Sequence, residues 1–335
     1  MRKIYIHIGY PKTATTTLQD FFYTNPELLK RHHLYYPKKG IAFPEKGHHN
    51  ITRSVPWNTI TANLYKPDLG DIHSLVKEID KRKENIIISS EGFAHLFAKD
   101  ALKIHEYLKA SLKKYEIEYL IVVRKADEFI ESSFFQRLNA WSRGRLKRQL
   151  PSIKKTKKKH LNNELRYLQV VEKTLSLDAQ VTVLTYNSKI VNEIANYIIK
   201  SPVTVPKTSI NKRQNKKLLS LLYILSNHEQ YADYQELFTK NRKQIVRGFT
   251  EEEIEKYGIF TLSERLELTN KYAEKIQQIN TKYDTDIAMP ENDKSEKEFF
   301  LVNNFNKKQL RLVHSIFGIE LKKMTTQEIM KNIMQ

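Results

Sequence analysis

The sequence predicts an α/β fold, with a central parallel sheet flanked by helices in three layers and a helical C-terminal region. Four short runs rich in β-branched residues, at 3–8, 86–89, 119–123 and 181–185, read as strands. Between them lie segments with apolar residues at helical spacing, at 72–83, 99–114, 127–141 and 161–177. Strand and helix therefore alternate, the pattern of a doubly wound parallel sheet. Past Pro202 and Pro206 the strand signals stop, and helices are expected at 214–227, 262–283 and 307–334. A polar, charged break at 290–297 sets a boundary. Residues 1–290 then form one domain, with an α/β core over 1–215 and a helical part over 207–290, and 291–335 form a helical extension.

The 335 residues are 40% hydrophobic, enough for a sizeable core, so disorder throughout is excluded. Lys and Arg number 57 against 38 Asp and Glu, a formal net charge of +19 that predicts a surface attractive to phosphate, sulfate, uronate or nucleic acid. With no cysteine there is no disulfide framework, thiolate zinc site or cysteine nucleophile. No run approaches the ~20 apolar residues of a membrane span. Residues 1–10, with Arg2, Lys3 and His7 in a short alternating run, lack the continuous apolar stretch of a secretion signal. The expectation is a cytoplasmic protein able to touch an anionic membrane face through its lysines. Residues 143–160, crowded with Arg and Lys around Pro151, are expected to form a mobile surface loop.

The first strand run ends at Gly9-Tyr10-Pro11, a turn, and a helix should start near Thr15, bury Leu18, Phe21 and Phe22, and stop before Pro26. Between strand and helix, Pro11, Lys12, Thr13, Ala14, Thr15, Thr16 and Thr17 make a phosphate cradle. Backbone N–H groups at the helix start converge, the helix dipole favours an anion, and Lys12 with several hydroxyls surrounds the spot. The alternative is a threonine-rich helix start in which Thr15 only caps. The loop is not a Walker A loop, because Lys12 comes early and no second glycine precedes it. The stretch IGYPKTATTTLQ, Ile8 to Gln19, resembles the 5′-phosphosulfate loop of sulfotransferases that use 3′-phosphoadenosine 5′-phosphosulfate (PAPS), whose commonest form is PKTGTTTLQ. Ala14 stands where that form has glycine.

Arg124 closes the third strand run and Ser132 falls eight residues later, in the second turn of the next helix, so both can face the carboxyl edge of the sheet. Taken alone the pair also fits a surface role. An arginine and a serine at this spacing are similar to the family's 3′-phosphate motif. The run Ser89-Ser90-Glu91-Gly92-Phe93 opens at the same edge and resembles bacterial members of the superfamily. It makes Glu91 the candidate general base, with His95 as the second candidate; the alternative is a Glu91 that caps the next helix or pairs with Arg124. In Lys46-Gly47-His48-His49-Asn50 the neighbouring side chains diverge and no carboxylate follows at ligand spacing, so contact with an acceptor, or a plain surface loop, is expected rather than a metal. Asn211, within Ser209-Ile210-Asn211-Lys212-Arg213, resembles a family asparagine near the bound nucleotide.

The resemblance spans 3–215 in organised motifs, with a looser likeness to 283. It implies a P-loop-like fold with PAPS as donor, 3′-phosphoadenosine 5′-phosphate (PAP) as product and no metal. The implied reaction is in-line transfer of a sulfuryl group to a hydroxyl or amine, for which the basic surface suits a glycan, acidic or neutral. Lys12 would neutralise the departing 5′-phosphate, the loop threonines and amides would hold it, and Arg124 with Ser132 would anchor the 3′-phosphate. Two rivals remain. An ATP-dependent small-molecule kinase shares the strand, loop and helix opening but lacks Walker spacing and an assigned magnesium carboxylate. A nucleic-acid-binding module is motivated by the charge and the 143–160 cluster, with no recognition motif to support it.

Overall fold

The computed structural model describes residues 2–10, 13–59, 61–162, 166–206, 215–249, 257–289, 298–299 and 305–319. In chain order the elements are β1 (Arg2–Ile8), α1 (Thr15–Thr24), α2 (Pro26–Arg31), β2 (Leu34–Tyr35), α3 (His49–Arg53), α4 (Ile72–Ile79), β3 (Asn85–Ser90), α5 (Gly92–Ser111) and β4 (Tyr115–Val123). They continue as α6 (Ala126–Trp141), α7 (Ile153–Asn162), α8 (Arg166–Leu175), β5 (Gln180–Thr185), α9 (Ile190–Ile199), α10 (Lys216–Asn227), α11 (Tyr231–Lys240) and α12 (Arg242–Gly248). The last are β6 (Tyr257–Gly258), α13 (Leu262–Tyr283), β7 (Glu298–Phe299) and α14 (Lys307–Phe317). The chain divides into two compact units, one of Met1–Lys125, Leu165–Ile210 and Ala273–Pro290, the other of Ala126–Glu164, Asn211–Tyr272 and Glu291–Gln335.

The first unit is built on a five-stranded parallel sheet of order β2-β3-β1-β4-β5. Its inner strands read as near-continuous apolar runs because both faces are covered, as parallel sheets require. Successive side chains alternate between faces. Tyr5, Ile87, Leu120 and Val122 pack with Leu18, Phe21 and Phe22 of α1 and Ile190, Ile194 and Ile198 of α9. Tyr119, of the opposite parity, meets Phe97 of α5 edge-on at 5.1 Å and bonds His105 Nδ1 at 2.9 Å. The α/β architecture with a central parallel sheet flanked by helices thus stands. In register, Ile8 lies opposite Ser90 of β3 and Ile121 of β4, so the three carboxyl ends open at one edge.

The second unit gathers α6, α7, α10, α11, α12, α14 and the first part of α13. Trp141 of α6 packs against Phe238 of α11, whose Gln235 donates to the carbonyls of Trp141 and Leu146 at 2.7 and 2.8 Å. The buried Glu131 accepts from Ile259 N–H at 2.9 Å.

Three expectations need correction. Strand signals do not stop after Pro206: β6 and β7 pair in parallel, Tyr257 opposite Glu298, too short to carry a periodic pattern. The helix expected from 99 begins at Gly92 and is broken at Asp100 (φ −156°, ψ 93°), whose carboxylate accepts from Lys103 N–H at 3.0 Å. The second half therefore has its own cap, and the turns before it are the helix expected directly after Glu91. Residues 143–160 are not all loop, since α7 begins at Ile153. Ile153 and Thr156 are buried on one face, Ile153 N–H donates to Tyr223 Oη at 3.1 Å, and Lys157 pairs with Glu264 at 2.6 Å. Among the described residues no helix is long and apolar enough to cross a membrane.

Candidate functional site

The loop after β1 sits against the end of β3. Gly9 N–H donates to Ser90 O at 3.1 Å, and a Cβ at Gly9 would lie 2.7 Å from Thr15 Cγ2 and 3.2 Å from Glu91 N. Only glycine lets the strand end, the helix start and the Glu91 backbone approach this closely. Thr13 and Thr15 are buried, and both hydroxyls donate to Tyr10 O, at 2.7 and 3.2 Å. They tie the loop shut rather than line its mouth. Thr16 and Thr17 are half-buried in the first turn of α1.

The N-cap of α1 is Ala14, in the left-handed conformation (φ 63°, ψ 20°), and no side chain caps the helix. Thr15 is therefore not a cap. The first amides of a helix lack the usual partner four residues back; in α1 Thr17 N–H turns to Ala14 O at 3.1 Å, and the helix start has neither a side-chain cap at Ala14 nor an acidic first-turn residue. The left-handed backbone falls at the one position where the loop sequence departs from PKTGTTTLQ. Pro11 and Lys12 lie outside the described residues, as does Asn211.

Glu91 is the half-buried N-cap residue of α5 but makes no capping hydrogen bond with its side chain, so it does not serve that helix. Behind it, Ser90 Oγ accepts from Gly92 N–H at 3.1 Å and lies 3.0 Å from His49 Nδ1. The Thr52 hydroxyl, 3.4 Å from Ser90 Oγ, already donates to His49 O at 2.8 Å. Burial pushes the His49 pKa down to about 4, so near neutral pH the ring is neutral, with Nδ1 engaged by Ser90 and Nε2 the nitrogen left over.

His48 has no ring nitrogen left for a ligand. It is fully buried, its Nδ1 accepts from Ser89 N–H at 3.2 Å, its Nε2 donates to Pro37 O at 3.0 Å, and its ring packs on Tyr36 at 4.5 Å. Of the two histidines assigned to an acceptor, only His49 has a free nitrogen. On the other face of the sheet Ser89 Oγ receives Gln19 Nε2–H at 3.1 Å and lies 2.9 Å from Nδ1 of the fully buried His7. Burial lowers the pKa of both His7 and His48 to about 4. His95, in the first turn of α5, is exposed.

At the end of β4 the Arg124 guanidinium lies over the Tyr186 ring, 4.3 Å from its centroid, and Tyr186 N–H donates to Val123 O at 2.7 Å. Stacking holds the planar cation in place at the sheet's carboxyl edge. Sequence reasoning missed Tyr186, although it directly follows a strand run and so belongs to that edge. It also missed Ser90, whose role depends on two backbone donors and a histidine far away in the chain. Ser132 is half-buried in the second turn of α6, in the second unit. Among the described residues no group of three or more His, Asp or Glu is arranged to hold a metal ion.

In chemical terms the first unit presents a helix start with no side-chain cap, a stacked arginine, a carboxylate and a neutral imidazole, the last two tied to one strand end. Such a set suits an anionic group beside a nucleophile that must lose a proton. Comparison with family models, with curated proteins and with solved structures returns no match.

Proposed function

We propose that the protein is a sulfotransferase that moves a sulfuryl group from PAPS to a hydroxyl or amine of a carbohydrate. The observation that carries this reading is the loop after β1, which follows PKTGTTTLQ at every position but Ala14 and leads into a helix start with no side-chain cap. PAPS would supply an activated sulfur: the acceptor oxygen or nitrogen forms a bond to it while its bond to the bridging oxygen breaks and PAP departs.

The chain's residues divide the remaining work. The α1 amides and Thr16 hold the 5′-phosphate, and Lys12 balances charge as it leaves. Arg124, fixed by Tyr186, meets the 3′-phosphate. Glu91 takes the acceptor proton, since it stands directly past the carboxyl end of β3 beside the loop after β1. His49 meets the acceptor through Nε2, the ring nitrogen that Ser90 does not engage.

Thermal stability in PAP, AMP and ATP with magnesium tests the reading. A ligand of the folded state raises stability by mass action, so PAP should raise the melting temperature well beyond AMP. Equal shifts from PAP and AMP would remove the 3′-phosphate subsite, and a larger shift from ATP with magnesium would favour a kinase.

A further inference from the structure

Within the second unit, α12 and α14 wall a groove of about 1130 Å³. Arg242, Lys243, Arg247, Lys308 and Arg311 line it, and among the described residues none that lines it is acidic. Neither helix contains an Asp or Glu. The floor is aliphatic, from Val246 and Leu312, and the helices approach closely at Gly248, where a Cβ would lie 2.5 Å from Leu312 Cδ2.

This arrangement works against the fold. Like charges on adjoining helices repel, and Lys307 and Lys308 occupy the first turn of α14, where the dipole favours an acid. Arg242 Nε is buried with no acceptor among the described residues. A buried donor without a partner is a standing cost that a bound anion removes.

We propose that the groove binds a linear polyanionic glycan, carboxylated or sulfated, through its anionic groups. Its volume exceeds the ~300–1,000 Å³ of an ordinary small-molecule cleft, so it takes a segment of polymer rather than one small anion. Single-stranded nucleic acid is disfavoured, since among the described residues no aromatic side chain lines the groove for bases to stack on. An aliphatic floor beneath a cationic rim fits sugar-ring faces carrying acidic groups at their edges. The proposal rests on the reading of a carbohydrate acceptor only for its choice of polymer over other polyanions.

The test is calorimetric titration of the full chain with hexagalacturonate, with neutral maltohexaose and hexathymidylate as controls. Hexagalacturonate should bind, maltohexaose should not, and Lys243→Gln, Lys308→Gln and Arg311→Gln together should weaken binding at least about tenfold. The proposal is overturned if the triple variant binds as wild type does, or if hexathymidylate binds as tightly and loses as much. The chain's own Glu251, Glu252, Glu253 and Glu255 follow α12 in sequence. If changing these four to Gln raises hexagalacturonate affinity tenfold or more, the groove is their seat and the proposal falls. Melting shifts with PAP, read on the same samples, keep the two readings apart: a triple variant that loses the glycan but keeps the PAP shift supports the groove, whereas wild type that shifts with PAP but binds no hexagalacturonate fails the groove alone.

Discussion

Around the carboxyl ends of β1 and β3 the buried hydroxyls and imidazoles are uncharged and bonded within the fold, whereas α12 and α14 present cations with no acid in either helix. In the first region, Thr13 and Thr15 bond Tyr10 O, and His7, His48 and His49 are neutral rings held by serines and backbone. Shape there is set by short, buried hydrogen bonds that fix which atom faces a ligand. In the second region five cations gather along two helices that contain no acid, above an aliphatic floor. One region is built for geometry and the other for capture.

Acid should separate the two most strongly. Burial holds His7 and His48 at about 4 in the folded chain against an ordinary value of 6.5. Between those values the unfolded chain binds more protons, so stability is full above pH 6.5 and falls as pH drops towards 4. The shift is worth about 3 kcal/mol for each ring as an order of magnitude. Chemical denaturation of wild type at pH 7 and pH 5 should show a clear loss, and His7→Asn should lessen its slope with pH. An equal slope in the variant would mean that His7 is not held neutral.

The next effect is chemical. Glu91→Gln keeps shape and most hydrogen bonding but cannot take a proton, so single-turnover transfer should fall by about 10² or more with little change in melting temperature. His95→Ala, at an exposed site, should be far milder. If His95→Ala abolishes transfer in a folded protein while Glu91→Gln does not, the base is His95, and the geometric region has been read from the wrong side chain.

The contrast also explains what could be read from the sequence. Strand, loop and first helix are contiguous, so their chemistry appears within the dozen residues from Ile8 to Gln19. The roles of His48 and His49 were not legible, because Ser89, Ser90 and Pro37 decide them and nothing local separates one histidine from its neighbour. Residues 153–162 look like a solvated lysine run because the groups that make them a helix, Tyr223 and Glu264, lie far along the chain. The groove was invisible for the same reason: residues 242–247 and 308–315 are each an ordinary basic stretch, and only their packing makes one cationic surface.

The finest test concerns Ala14, whose left-handed backbone is the local strain in the geometric region. An L-residue there carries roughly 1–2 kcal/mol that glycine does not. Glycine in turn gives up about 0.5–1 kcal/mol more conformational freedom on folding than alanine. The two terms nearly offset, so Ala14→Gly should leave stability unchanged or raise it by up to about 1 kcal/mol. Ala195, fully buried inside α9, provides the contrast. There the same substitution keeps the helix-propensity penalty and gains nothing, a loss of about 1 kcal/mol or more. Denaturant unfolding of both variants decides the matter. If Ala14→Gly costs as much as Ala195→Gly, the loop does not hold Ala14 left-handed. If it is neutral and PAP still raises the melting temperature as it does for wild type, the alanine is a tolerated stand-in for the glycine of PKTGTTTLQ, and the loop's geometry survives the one departure in its sequence.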